Sequence, residues 1–211
     1  MTRLSWGAVG EKYYETGVDR GVLYVGIDPG VAWTGLVSVA ESPTGGEPRP
    51  FYIDGVKYLN LAGSEEYAAT INAFSSPPEF GPCDGMKSIQ NGLFATQQPR
   101  IPFGFSYRTK LGNDIDGSDH AYKIHLVYNA LAAPSSRTND SIDDSPDPIS
   151  FSWSITTLPP AITGYKPTAH FVIDTRYTTE TILAEIEDVL YGSEALQAQL
   201  PTVSELMAIF S

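Results

Sequence analysis

Large apolar and small polar residues alternate along much of the chain, the mark of strands with one buried face. In DPISFSWSITTLPP, Ile149, Phe151, Trp153 and Ile155 alternate with Ser150, Ser152, Ser154 and Thr156. Pro146, Pro148 and the pair Pro159-Pro160 bound that run, because proline cannot donate to a ladder. AYKIHLVYNALAAP sets Tyr122, Ile124, Leu126 and Tyr128 on one face, and IPFGFSYRTK does the same with Ile101, Phe103, Phe105 and Tyr107. PTAHFVID, RGVLYV and TGLVSVAE are shorter strands. PFYIDGVKYLNL predicts a hairpin, since Asp54-Gly55 supplies a two-residue turn of positive φ. EEYAATINAFSSP fits either period and is read as a strand, because Ser75-Ser76-Pro77-Pro78 stops it abruptly among other strands.

Helical spacing occurs twice. TTETILAEIEDVLYG places Ile182, Ile186, Val189 and Leu190 on one stripe, with Glu180 in the first turn and Gly192 at the stop. LPTVSELMAIFS predicts a short second helix, Thr202 and Glu205 having capping-box spacing. Residues 5–26, SWGAVGEKYYETGVDRGVLYVG, carry neither period until Gly21–Val25. Spans 76–100, 111–119 and 133–147 are weakly patterned and are expected to be long surface loops. Without repeats or linkers, residues 1–211 predict one β-rich domain with an N-terminal arm (1–20), a helix near 178–191 and a C-terminal arm (193–211).

Composition narrows the class. With 42% hydrophobic and 18% charged residues, the chain is of ordinary globular type. No apolar run approaches the ~18 residues of a membrane span, and no basic start leads into a cleavable apolar segment. A cytoplasm is therefore the expected site of folding, with no membrane partner. The net charge of −12 is unevenly laid out. Residues 113–147 hold seven acids against two Lys/Arg, and 177–211 hold six acids and no Lys or Arg. Such a surface repels phosphate and argues against a sequestering nucleic-acid binder.

The search for chemistry returns little. His120 and His125 are an odd number apart on one strand and so face opposite ways, while His170 is isolated, so no metal site is expected. Cys83 sits in GPCDG with no histidine near in sequence to activate it. Asp114, Asp116 and Asp119 surround Gly117, but the spacing does not match a calcium loop and reads as an acidic turn. NDSIDDSPD, 139–147, reads as a solvated loop. No nucleophile elbow, zincin helix or phosphate loop occurs, so no catalytic residue and no cofactor are expected.

GVDRGVLYV (17–25), AWTGLVSVAES (32–42), GGEPRPFYIDGVKYLNL (45–61), FGFSYRTKLGNDIDGSDHAYKIHLVYNALAAPS (103–135) and SPDPISFSWSITTLP (145–159) follow in order. Together with TGYKPTAHFVID (163–174) and LPTVSELMAIF (200–210), they resemble the major tail proteins, or tail tube proteins, of long-tailed bacteriophages, especially those of actinobacterial hosts. VGIDPGVAW and CDGMKSIQNGLFATQQP depart from the likeness locally. The resemblance implies a two-sheet sandwich or barrel flanked by a helix. It implies hexameric rings stacked into a hollow virion tail tube through which viral DNA leaves without specific binding. Its other implied partners are the tape measure, tail terminator and distal tail proteins. Family N-termini lie at subunit contacts, which makes Trp6, Tyr13 and Tyr14 contact candidates. Acidic tube linings make Asp114, Asp116, Asp119, Asp140, Asp143 and Asp144 candidates for the lumen or its rim.

Spacing adds a second contact candidate. Val203, Leu206, Met207 and Phe210 fall at i, i+3, i+4 and i+7 of a helix too short to persist undocked. The expectation is that residues 201–211 dock on a neighbouring subunit, with docking on their own sheet as the competing outcome. A receptor- or carbohydrate-binding β-sandwich of the same virion is the alternative function. A hydrolase using Asp174 or Asp119 has no motif behind it.

Overall fold

The computed structural model describes residues 3–139, 141 and 148–211. Fourteen strands and two α-helices are formed among them. The first half of the chain supplies β1 (Tyr14–Tyr24), β2 (Val31–Ala32), β3 (Leu36–Glu41), β4 (Thr44–Gly45), β5 (Pro48–Ile53), β6 (Val56–Ala62), β7 (Glu65–Glu66) and β8 (Ala68–Ala73). The second supplies β9 (Lys87–Gln90), β10 (Leu93–Ala95), β11 (Phe103–Asn113), β12 (Gly117–Ala132), β13 (Phe151–Thr157) and β14 (His170–Asp174). Helices α1 (Glu180–Tyr191) and α2 (Val203–Ile209) complete it.

One eight-stranded antiparallel sheet runs β2-β1-β11-β12-β13-β8-β3, with β14 also paired to β12. β12 is long enough to use two partners on one edge. Lys123–Val127 pair with β14, and Ala130–Ala132 pair with β13. Asn129, at φ 50°, sits where β12 passes from one partner to the other. The sheet then curls until β3 packs against β1, making a mainly β, barrel-like body.

Two cores follow from that curl. Alternate residues of β11 and β13, namely Phe103, Phe105, Tyr107, Trp153 and Ile155, point into the barrel beside Leu23, Ile71 and Trp33. Trp33 meets Phe105 and Trp153, and Phe80 meets Trp153, edge to face at centroid distances of 5.2–5.6 Å, while Trp33 and Phe80 are tilted at 4.8 Å, favourable aromatic geometries. A 3₁₀ turn, Pro78–Asp84, carries Phe80 and Cys83 into this core. The opposite faces of β1, β12 and β14 present Val22, Tyr24, Ile124, Leu126, Tyr128 and Ile173 to α1 and α2. Ile186 and Leu190 of α1 and Leu206 of α2 close that second core. Thr179 caps α1, and Thr202 with Glu205 forms the expected capping box on α2.

Most elements lie where alternation places them, and Ala68–Ala73 is a strand. Three expectations change. β1 begins at Tyr14, not Gly21, so residues 14–20 belong to the sheet. Bulges between Thr16 and Val18 and between Asp19 and Val22, with Gly17 and Arg20 at positive φ, break the period of two that would have revealed the strand. Span 111–119 is a tight hairpin tip, with Asn113 opposite Gly117. Span 76–100 contains the 3₁₀ turn and the β9–β10 hairpin. Within 133–147, residues 140 and 142–147 lie outside the described part.

Candidate assembly surfaces and a buried histidine cluster

The β5–β6 hairpin stands apart from both cores. Phe51, Tyr52, Ile53, Val56, Tyr58, Leu59 and Leu61 are exposed, so both of its faces are apolar and uncovered. Tyr58 and Val56 each expose 68% of their surface. Its turn is the expected one, with Asp54 at φ 51° and Gly55 at φ 76°. A lone two-stranded ribbon is marginal in water, and a contiguous apolar patch of this kind marks an interaction surface. Two strand edges also lack ladder partners where the barrel closes. Among the described residues β3 is hydrogen-bonded to β8 alone, and the first half of β1 to β11 alone, the two facing each other across a cleft. Such edges are templates for another strand.

The N-terminal contact candidates divide. Trp6 is 84% exposed. Tyr13 is also exposed, and its ring lies 5.5 Å from that of His120. Tyr14 lies across Gly112, where any Cβ would collide with its ring. The arm is pinned by Asp114, which accepts from the backbone N–H of Gly10 (3.0 Å) and Lys12 (3.4 Å) and pairs with the Lys12 ammonium at 3.6 Å. Desolvation pushes the Asp114 pKa up, but these donors outweigh it and hold the carboxyl below its usual range.

In the single chain the C-terminal segment lies against its own body. Tyr128 Oη donates to the Pro201 carbonyl at 2.9 Å, and the Gly30 N–H donates to the Ala198 carbonyl at 2.7 Å. Leu200 fills the notch at Gly104, where a Cβ would come within 2.5 Å of Leu200 Cδ2. Leu206 is buried and Val203 half-buried in the second core. Met207 and Phe210, the rest of the stripe, stay 46% and 45% exposed. A short helix needs a partner, and α1 is the nearest one.

The acidic candidates cluster less than their spacing implies. Asp116 and Asp119 sit at or beside the β11–β12 tip, Asp116 accepting from Asn113 Nδ2 (3.2 Å) and lying 3.0 Å from His120 Nδ1. Asn113 Oδ1 accepts from the N–H groups of Ile115 and Asp116, so the tip is a closed acidic turn. Asp119 projects into solvent near Lys110, at 3.7 Å. Asp140, Asp143 and Asp144 lie outside the described residues.

The structure assembles a polar cluster that spacing did not indicate. His170 is not isolated. It lies opposite Val127 on β14, and its Nε2 is 3.1 Å from Nδ1 of His125. The two rings are nearly parallel at 5.3 Å, and His125 stacks on Tyr107 at 4.5 Å. Glu41, at the end of β3, reaches across the barrel to accept from Tyr107 Oη at 2.6 Å and comes within 3.5 Å of His125. Burial pushes His125 down to about 4, with His170 adding to the effect. Burial likewise lowers His170 and raises Tyr67 and Tyr107. His120, by contrast, faces away, as the odd separation required. The missed partners were unreadable because Glu41 and His125 meet only once the sheet curls. Cys83 is buried, and desolvation with the nearby Asp84 charge pushes its thiol up to about 12, so it is not an activated nucleophile. Among the described residues no helix is long and apolar enough to cross a membrane.

No known protein family matches the chain, and no curated protein matches it. Among solved structures, a chain in the cryo-EM structure of the anti-feeding prophage baseplate, 6-fold symmetrised, is similar at 11% identity and a TM-score of 0.40, covering 81% of this chain and 97% of that one. A chain of the anti-feeding prophage tube-terminating cap gives 13% identity, a TM-score of 0.34 and coverage of 83% and 97%. A chain of the PVC sheath–tube complex of an extracellular contractile injection system, in its extended state, gives 16%, 0.31, and 74% and 89%. Likeness this distant assigns no role to this chain.

Proposed function

We propose that this chain is the repeating subunit of a phage tail tube of the actinobacteriophage major-tail-protein type. Its role is structural: rings of six stack into a hollow tube, and DNA passes through during ejection. The observation that carries this reading is the β5–β6 hairpin, seven large apolar residues on a ribbon with no cover from the described residues of its own chain. A neighbouring subunit supplies that cover. The unpaired edges of β3 and β1, which face each other where the barrel closes, leave ladder groups for an added strand, and the ordered sequence resemblance supplies the kind of polymer. The Asp116 and Asp119 tips, with the net charge of −12, suit a wall that repels DNA over a Debye length of about 8 Å. Trp6, Tyr13, Met207 and Phe210 are the further contact residues in this reading. The tape measure, terminator and distal tail proteins are its partners, and the virion tail is its location.

Electron microscopy of the purified protein at high concentration tests the proposal. Long hollow polymers with six subunits per ring are the expected result. A monomer of constant mass at every concentration, with no polymers, overturns it and favours a receptor- or carbohydrate-binding module.

A further inference from the structure

We propose that Glu41, His125 and His170 form a binding site for a divalent transition-metal ion of the zinc type. The argument begins with protons. The Thr109 hydroxyl has a single hydrogen, and it donates to the Glu15 carboxylate at 2.7 Å. Thr109 Oγ1 therefore accepts from His125 Nε2, 3.1 Å away, and Nε2 carries the ring hydrogen. A neutral His125 then has its lone pair on Nδ1. That atom faces His170 Nε2 at 3.1 Å and Glu41 Oε1 at 3.5 Å.

The nearby hydroxyls cannot answer it. Tyr107 gives its hydrogen to Glu41 at 2.6 Å, and Tyr67, 3.3 Å from Tyr107, gives its own to Tyr107. Two imidazole nitrogens and a carboxylate oxygen thus converge from β12, β14 and β3, all within 4.8 Å of one another. A hydrogen on His170 Nε2 would answer the lone pair with one hydrogen bond, whereas a cation would engage both imidazoles and the carboxylate together. Ligands held about 2.0–2.1 Å from a tetrahedral metal lie roughly 3.3 Å apart, between the 3.1 and 3.5 Å separations from His125.

The surroundings match a metal site in two further respects. Ligating histidines donate their second ring N–H to an orienting group, and here Thr109, Glu15 and Lys123 form that chain, with Lys123 Nζ 2.7 Å from Glu15. A cleft of about 740 Å³, lined by Glu41, Tyr67, Pro159, Lys166 and His170, opens onto the cluster and would give an ion an entry path and an open fourth position. Two imidazoles with one carboxylate suit zinc or cobalt over magnesium or calcium. The bound ion would staple β3, an edge strand, to β12 and β14 across the barrel.

The test uses untagged full-length protein, stripped of metal and titrated with Co²⁺ and then Zn²⁺ at neutral pH. A stoichiometric visible d–d absorption, displaced by Zn²⁺, is expected. At a hundredfold excess over Kd, Zn²⁺ should raise Tm by about 5–10 °C. Glu41→Gln and His170→Asn should each weaken binding at least about tenfold, while His120→Ala leaves it unchanged. Glu41 is exposed, so its variant decides the matter even if the His170 variant fails to fold. Absence of the band and of the thermal shift, or undiminished binding in the Glu41 variant, overturns the site and leaves two neutral histidines sharing one proton.

Discussion

Two hairpins of this chain look alike in sequence and meet opposite fates. β11–β12 and β5–β6 are both apolar-rich antiparallel ribbons, and both turn on residues suited to positive φ. In the first, Phe105 and Tyr107 face the barrel interior while Ile124, Leu126 and Tyr128 lie under the helices, so both faces are buried. In the second, every residue from Pro48 to Ile53 and from Val56 to Ala62 is exposed. Apolar strand residues report a ribbon and leave open what covers each face. For β5–β6 no cover comes from the described residues, and in the proposed reading a neighbouring subunit supplies it.

The comparison breaks most visibly at Trp153. It sits inside the barrel among Trp33, Phe80 and Phe151, and Trp153→Ala should cost about 3–5 kcal/mol in denaturant unfolding of the free subunit. A loss below about 1 kcal/mol would mean that this core is not tightly packed.

A smaller effect comes from pH. His125 titrates near 4 when folded against about 6.5 unfolded, because burial disfavours its charge. The unfolded chain takes up the proton first, so this contribution is fully present above about pH 6.5 and is lost as pH falls toward 4. Its size is about 3 kcal/mol by the shift. Groups facing it are Glu41, His170, Tyr107 and, through Thr109, Glu15. Urea midpoints measured across that window should fall, and His125→Asn should flatten the slope. A flat wild-type profile would place His125 in solvent.

The smallest effect on the free subunit belongs to the exposed hairpin. Tyr58→Ser with Leu61→Ser should change its stability by no more than about 0.5 kcal/mol per site, yet abolish polymers in micrographs. Unfolding of the free variant would show that the ribbon packs on its own barrel.

Much of the barrel was legible because β11, β12 and β13 keep strict alternation and α1 keeps its stripe. Tyr14–Arg20 was not, because two bulges shift its register. The C-terminal stripe was legible as a helix but not in its partner, since Leu206 on its own core and Leu206 on a neighbour demand the same spacing. The histidine cluster was hidden for a related reason. Glu41 and His170 are remote in sequence from His125, and only sheet closure and the β12–β14 register join them.

The central claim is that another subunit covers the β5–β6 hairpin. Hydrogen exchange of amides 48–62, in free subunits and in assembled polymers, tests it most directly, with amides 103–132 as an internal reference. The account predicts fast exchange of 48–62 in the free subunit, strong protection on assembly, and protection of 103–132 in both states. Equally fast exchange of 48–62 in both states would contradict it.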